Sequence, residues 1–123
     1  MIALFVENFW QLLVGHALAD FALQSDVMAK GKNRHVPVDL SKIPPGQKPM
    51  MVWPYWLVSH ALIHGGVVAY ITSNYYLGMA EAACHLVIDV LKCENITNIH
   101  VDQALHVACK AVWAFIYVQT MWS

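Results

Sequence analysis

The chain has 123 residues, of which 59% are apolar and only 12% are Asp, Glu, Lys or Arg, where about 25% is usual for a soluble domain. A net charge of −1 provides no basic surface for a phosphate backbone, so nucleic-acid binding is not expected. The apolar composition also excludes an intrinsically disordered chain. It indicates buried or lipid-facing helices, in a chain with seven His residues.

Apolar patterning predicts one all-α domain over residues 1–123, with four helices. A polar loop, residues 30–49, separates the first two helices, because it holds five of the seven Lys and Arg residues and four of the five prolines. Short turns join the later helices. The four helices are predicted at about Ile2 to Met28, Met51 to Thr72, Leu77 to Lys92 and Asn98 to Trp122.

The distribution of charge predicts a membrane protein. No charged residue occurs in the 32 residues from Pro49 to Ala80, and a bilayer is crossed by about 20. Cationic loops stay in the cytoplasm, so the Pro-rich loop 30–49 is predicted to be cytoplasmic and both termini outside. We therefore expect a four-helix transmembrane bundle in the bacterial inner membrane, in contact with lipid. A buried soluble core is the alternative, because the third helix is short for a span.

Each predicted helix carries two His or Asp residues four positions apart. This spacing places two side chains on one face of a helix, about 6 Å apart. Six pairs of His with His or an acid occur at this spacing, against about 1.3 expected by chance. Two are His35 with Asp39, in the loop, and Glu81 with His85. The four that define the predicted site are His16 with Asp20, His60 with His64, His85 with Asp89, and Asp102 with His106.

In the predicted topology these four pairs meet near the cytoplasmic side of the bundle. A charged residue within a bilayer costs about 2.5 to 3.5 kcal/mol on insertion scales. A divalent metal would compensate the carboxylates and take the neutral imidazoles as ligands. Imidazole and carboxylate donors without thiolates suit Zn²⁺, and Mn²⁺ or Fe²⁺ can bind to the same donors. Eight donors exceed one tetrahedral site, so two or more ions are predicted.

Further polar residues continue the same helix faces. Gln24 and Gln103 are expected to support the ligands or to contact the substrate. Lys92 either contacts a phosphate or anchors its helix at the cytoplasmic surface. Lys110 is expected to form a salt bridge or to extend towards the membrane surface.

The segments HALADFALQSD, SHALIH, HLVIDVLK and DQALH resemble, in this order, the domain of unknown function 3307 family of small bacterial and phage membrane proteins. This resemblance implies a membrane fold and little biochemistry. The ligand pairs are similar, more weakly, to those of membrane-bound metal-dependent hydrolases, zinc-dependent phospholipase C and fungal single-strand nucleases. That similarity implies zinc binding by the eight residues, with Asp102 a ligand or the base that orients water. The N-terminal Trp ligand of the soluble enzymes has no counterpart at Met1.

The function expected from these residues is metal-dependent hydrolysis of a phosphoester or phosphoanhydride, in a small molecule or a lipid. The metals would lower the pKa of bound water towards about 7, and Lys92 would contact the phosphate. The rivals are a metal or proton transporter, a haem protein with axial His ligands, and a small membrane interaction protein whose polar faces lock its helices together. A homo-oligomer is a further expectation, because four short helices enclose little volume.

Overall fold

Helices make up 76% of the protein, and residues 1–122, which the structure describes, contain no strand. The structure is a computed structural model. The all-α prediction is confirmed. The helices are α1 (Ile2–Ala17), α2 (Asp26–Gly31), α3 (Trp53–Thr72), α4 (Tyr75–Cys93) and α5 (Ile99–Trp122).

The first predicted helix is interrupted before its expected end. A π-helical turn, Leu18–Ala22, follows α1, and the backbone N–H of Leu23 donates to the carbonyl of Leu18 at 2.9 Å. A separate helix, α2, then begins because the Ser25 hydroxyl accepts from the backbone N–H of Met28 at 3.2 Å. The prediction of one helix over residues 2–28 is therefore wrong beyond residue 22.

The other three helices lie within about two residues of their predicted bounds. Ser73, the residue that follows α3, has a φ of 51°, a conformation that often terminates helices. Asn74 caps α4, because its side-chain oxygen accepts from the backbone N–H of Tyr76 at 2.9 Å. The polar segment between α2 and α3 contains one 3₁₀ turn, Leu40–Lys42.

The tight turn at residues 73 and 74 makes α3 and α4 an antiparallel pair, and two glycines bring them close. A Cβ on Gly65 would lie 2.5 Å from the Gly78 carbonyl oxygen, and a Cβ on Gly78 would lie 2.6 Å from Cβ of Ala69. α1 packs against α3 and α5, and α5 against α4. These contacts close an apolar core formed by Leu12, Val68, Leu77, Trp113 and Ala114.

Two helical segments, Ile2–Ala22 and Ile99–Trp122, are long and apolar enough to cross a membrane. Four such helices were expected, and the described residues contain two. In α3, two His and four aromatic residues reduce the mean hydropathy, and α4 contains three charged residues, Glu81, Asp89 and Lys92. In each candidate span, 28% of the most apolar stretch is buried.

Candidate metal centre

The eight predicted His and Asp ligands lie together inside the helical bundle. α1 with its π turn, α3, α4 and α5 each supply two of them, and no residue of the eight is more than 7% exposed. The cluster occupies the end of the bundle next to the polar loop, because Lys32 reaches it from the start of that loop. The residues are His16, Asp20, His60, His64, His85, Asp89, Asp102 and His106.

A first donor group forms around Asp20. Its Oδ1 lies 3.2 Å from Nε2 of His60 and 3.1 Å from Nε2 of His64, and His85 completes a set of donor atoms within 4.8 Å of one another. Zinc–donor bonds of about 2.0 to 2.1 Å place the ligands of one tetrahedral ion about 3.3 Å apart. The two distances at Asp20 are close to this spacing and also to that of a hydrogen bond, and the four donor atoms together lie within 4.8 Å. The π turn that carries Asp20 is of a kind that often occurs at functional sites.

A second donor group combines His85, Asp89 and His106, again within 4.8 Å. It is wider than the first, since Asp89 lies 3.7 Å from Nε2 of His85 and 3.9 Å from Nε2 of His106. Oδ1 of Asp102 lies 3.5 Å from Nε2 of His106 at its edge. His85 belongs to both groups, so the two groups are adjacent.

Stacked imidazole rings connect the two groups. The rings of His64 and His85 have centroids 3.6 Å apart and planes 21° from parallel. The His85 and His106 rings follow at 4.1 Å and 22°. Three rings from three helices thus form one continuous stack through the site.

Several donor atoms of the second group are buried without a hydrogen-bond partner in the described chain. They are both ring nitrogens of His85, both ring nitrogens of His106, Oδ1 of Asp89 and Oδ1 of Asp102. Leaving such an atom unsatisfied costs about 1 to 3 kcal/mol, and most buried polar groups avoid it. Imidazole nitrogens and carboxylate oxygens are ligands for divalent metals. The residues therefore fit a metal ion, and these clusters could hold one.

Two lysines neutralise the carboxylates of the second group. Nζ of Lys32 lies 2.5 Å from Oδ2 of Asp89, and both side chains are buried. Nζ of Lys92 lies 3.3 Å from Oδ1 of Asp89 and 3.1 Å from Oδ2 of Asp102. Lys92 thus lies at the predicted site, with a quarter of its side chain exposed. Sequence reasoning missed Lys32, because nothing near it in the chain indicates a partner 57 residues away.

The two glutamines predicted beside the ligands differ in what they contact. Gln103 donates from Nε2 to Oδ2 of Asp20 at 2.9 Å and to Oδ2 of Asp102 at 3.2 Å, and its Oε1 lies 3.1 Å from Nε2 of His16. It therefore links the side chains of three predicted ligands. Gln24 donates to the backbone carbonyl of Asp20 at 3.1 Å. The helix breaks next to Gln24. This residue therefore stabilises the π turn, and its hydrogen bond is to the backbone and not to a ligand side chain.

A second buried polar layer lies between the donor groups and the apolar core. Glu81 accepts from Nζ of Lys110 at 2.5 Å through Oε1 and from Nε1 of Trp113 at 2.6 Å through Oε2. Lys110 therefore forms the expected salt bridge, but it is only 1% exposed and does not extend to the surface. In the sequence, the only sign that Glu81 belongs to the polar interior is its four-residue spacing from His85.

A groove of about 340 Å³ opens beside Lys32. It has apolar walls and two cations, and its lining consists of Lys32, Arg34, Trp53, Leu57, Val90, Cys93 and Glu94. Because Lys32 also binds Asp89, the groove reaches the edge of the second donor group.

A salt bridge closes the outer rim of this groove. Arg34 donates to Glu94 from Nε at 2.6 Å and from Nη2 at 2.9 Å, and Nε2 of His35 lies 3.0 Å from the same carboxylate. The hydrogen bonds from Arg34, and then that of His35, lower the pKa of Glu94 to about 2. The same contact raises the pKa of Arg34. Arg34 and Glu94 are thus both charged across the ordinary pH range, and their salt bridge is retained.

No protein-family model, curated protein or solved structure matches the chain. The resemblance to the domain of unknown function 3307 family therefore stays a prediction. A function for this protein has to be argued from the arrangement of its own residues.

Proposed function

We propose that this protein is a membrane-embedded hydrolase that uses two zinc ions to cleave a phosphoester or phosphoanhydride. The observation that carries the proposal is the meeting of two buried donor groups at His85. Lys92 and Gln103, both partly exposed, lie at the edge of these groups where a substrate can approach. Paired metal groups with a nearby cation suit the transfer of a phosphoryl group to water.

The membrane location follows from the outer surface of the bundle. Large apolar side chains project outwards from the two candidate spans, among them Trp10 at 66%, Phe21 at 70% and Phe115 at 57% exposure. Contiguous apolar surface of this kind favours a lipid environment. We place the loop 30–49 in the bacterial cytoplasm and both termini outside, since cations concentrate in that loop. The donor groups then lie near the cytoplasmic face.

Each group has a role in this proposal. Asp20, His60 and His64 would hold one ion, and His85, through Nε2, would join Asp89 and His106 around the other. A bound divalent ion supplies Lewis acidity and charge neutralisation.

Around these ligands, Lys92 would neutralise a phosphate oxygen. Oδ1 of Asp102, which has no hydrogen-bond partner in the described chain, would accept a proton from the attacking water. The P–O bond to the leaving group breaks as water adds, giving an alcohol, or a second phosphate from an anhydride, and inorganic phosphate.

The groove favours a lipid phosphate as substrate over a water-soluble one. Its apolar walls, formed by Trp53, Leu57 and Val90, would hold an acyl chain. Lys32, which lines the groove and pairs with Asp89, would lie beside the head group at the level of the donor groups. Lipid would therefore be both the surroundings and the substrate of the protein.

One contact favours a purely structural function instead. Oδ1 of Asp20 can accept N–H groups from both His60 and His64, which would lock α1 to α3 without any metal. A relay through the membrane has less support. Beyond the layer of Glu81 and Lys110 lies the apolar core, and the buried polar residues one turn past its Leu12 and Val68 are Asn8 and Thr72.

Metal content and phosphate release test the proposal together. We expect purified wild-type protein to contain two zinc ions per chain and to release inorganic phosphate from phosphatidic acid in mixed micelles. His106→Ala should lose phosphate release and the zinc ion of the second group. His100→Ala, on the same helix but exposed, should retain both. Less than one metal ion per chain in the wild type would overturn the metal centre, and metal without phosphate release would overturn the hydrolase.

A further inference from the structure

We propose that Glu81 is a positioning residue that fixes the ring of His85, so that Nε2 of His85 faces the two donor groups. The inference rests on the proposed function, because His85 is the residue that both groups share. Because the single Nε2 lone pair binds one ion, a residue that controls the His85 ring would act on the metal position that His85 completes.

The contacts of Glu81 place it behind the ring. Its Oε1 lies 3.5 Å from Nδ1 of His85, while Nε2 of the same ring lies 3.7 Å from Oδ2 of Asp89 on the other side. Glu81 and His85 are 1% and 0% exposed, so water does not compete for either ring nitrogen. On one side of the ring, the Glu81 carboxylate can accept a hydrogen bond from Nδ1–H. On the other side, Nε2 faces a group of metal donors.

Glu81 is itself held in place from the opposite side. Lys110 and Trp113 donate to its two oxygens at 2.5 and 2.6 Å. A carboxylate has about four lone-pair sites, so one on Oε1 remains for His85. The 3.5 Å separation exceeds an ordinary N–H···O bond, and a shift of about 0.5 Å would make it one.

This arrangement has the form of a carboxylate–histidine–metal unit. A ligating His normally donates its second N–H to an acceptor, which fixes the tautomer and turns the free nitrogen towards the metal. For His85, an N–H at Nδ1 facing Glu81 leaves the lone pair on Nε2. Neither ring nitrogen has a hydrogen-bond partner in the described chain, so Nε2 is available to a metal once Nδ1 donates to Glu81.

The alternative is that the Glu81–Lys110 ion pair only holds α4 to α5. Burying such a pair often contributes little compared with apolar residues of the same size. The double variant Glu81→Gln/Lys110→Met should therefore fold, since it removes both charges together. In this variant the oxygen of the introduced amide would accept from Trp113, which turns the amide NH₂ towards Nδ1 of His85. This reverses the preferred tautomer and places the proton on Nε2.

Zinc affinity tests the role of Glu81. We expect the double variant to bind Zn²⁺ 10 to 100-fold more weakly than wild type in a competition titration with a chromophoric chelator. Asp39→Asn/Lys42→Met is the control, because it also removes an ion pair but both side chains are exposed and neither lines the groove. Its affinity should equal that of the wild type.

The tautomer of His85 gives a readout that needs no metal. In ¹⁵N-histidine-labelled, metal-stripped protein, Nδ1 of His85 should carry the proton in the wild type and Nε2 in the double variant. A His85→Asn spectrum identifies the resonance. A folded double variant with unchanged zinc affinity and an unchanged tautomer would overturn the inference. If the wild type binds no zinc, the proposed function fails, and the tautomer still decides whether Glu81 positions His85.

Discussion

The ammonium of Lys32 lies 2.5 Å from Oδ2 of Asp89, across 57 residues of sequence. This contact ties the start of the polar loop to the second donor group. Asp89 therefore has a cationic partner of its own, and Lys92 supplies another at 3.3 Å. Asp20 is different, because the ion pairs and hydrogen bonds of its carboxylate are with His60, His64, His16 and Gln103. The group around Asp20 should thus attract a divalent ion more strongly.

Replacing Lys32 should make the thermal stability of the protein more dependent on bound Zn²⁺. Lys32→Met removes one of the two cations that face Asp89 and leaves buried negative charge, a change that costs about 3 to 5 kcal/mol at fully buried pairs. The melting temperature of the metal-free protein should fall. Added Zn²⁺ should raise it by more in the variant than in the wild type, because the ion replaces the missing positive charge. Thermal unfolding with and without Zn²⁺ measures both effects.

Lys42→Met is the control for this experiment. Lys42 also belongs to the polar loop and pairs with an acid, Asp39, at 3.6 Å, but both side chains are exposed. Exposed pairs contribute about 0 to 1 kcal/mol, so this variant should melt like the wild type. An equal loss in both variants would show that the contact of Lys32 with Asp89 has no special role.

The sequence alone was enough to predict the helices and the cluster of eight residues, because i, i+4 spacing is a local property of a helix. The roles of Lys32 and Lys110 were not predictable in the same way. Lys32 was interpreted as a loop cation and Lys110 as either a salt-bridge partner or a cation that extends to the surface, and their burial depends on acids that approach only after the helices pack. The break at residue 23 had a signal, since Ser25 followed by Asp26 is a favourable start for a new helix.

The contact between α3 and α4 should tolerate no side chain at Gly65. Gly65→Ala would place a methyl group 2.5 Å from the carbonyl oxygen of Gly78 and 2.9 Å from Cβ of Ala82. Separating the helices should cost about 1 to 3 kcal/mol. Since His64 is the adjacent residue, zinc affinity should fall as well. Thermal unfolding and a zinc titration check the two effects.

Gly66 provides the matched comparison. A Cβ on Gly66 meets nothing within 4 Å, and alanine is favoured over glycine inside a helix by about 0.5 to 1 kcal/mol. Gly66→Ala should therefore melt at the same temperature as the wild type or slightly higher. The packing argument fails if the two alanine variants are equally stable.

The salt bridge at the groove rim should lose its effect in acid. The pKa of Glu94 falls from its ordinary 4.5 to about 2 on folding, through its hydrogen bonds with Arg34 and His35. A carboxyl group with a lowered folded-state pKa stabilises the protein above the unfolded value, and this stabilisation is lost as the pH falls through the folded value. Glu94→Gln should thus melt below wild type at pH 6. The difference should shrink between pH 4.5 and pH 2, and a constant difference would contradict this assignment.

The groove should be needed for lipid substrates but not for soluble ones. Val90 lines the groove, and Val90→Trp would fill part of its roughly 340 Å³. Phosphate release from phosphatidic acid should fall at least tenfold. Release from p-nitrophenyl phosphate, which needs no acyl site, should stay within twofold of wild type, and so should zinc content.

Val87→Trp distinguishes this effect from a general effect of bulk on α4. Val87 lies one turn before Val90, is 55% exposed and is absent from the groove lining. Its variant should hydrolyse both substrates at the wild-type rate. Equal losses in the two Trp variants would mean that the groove is not the acyl site. A loss confined to Val90→Trp and to the lipid substrate would instead place the chain of the substrate between α3 and α4, with its phosphate next to Lys32.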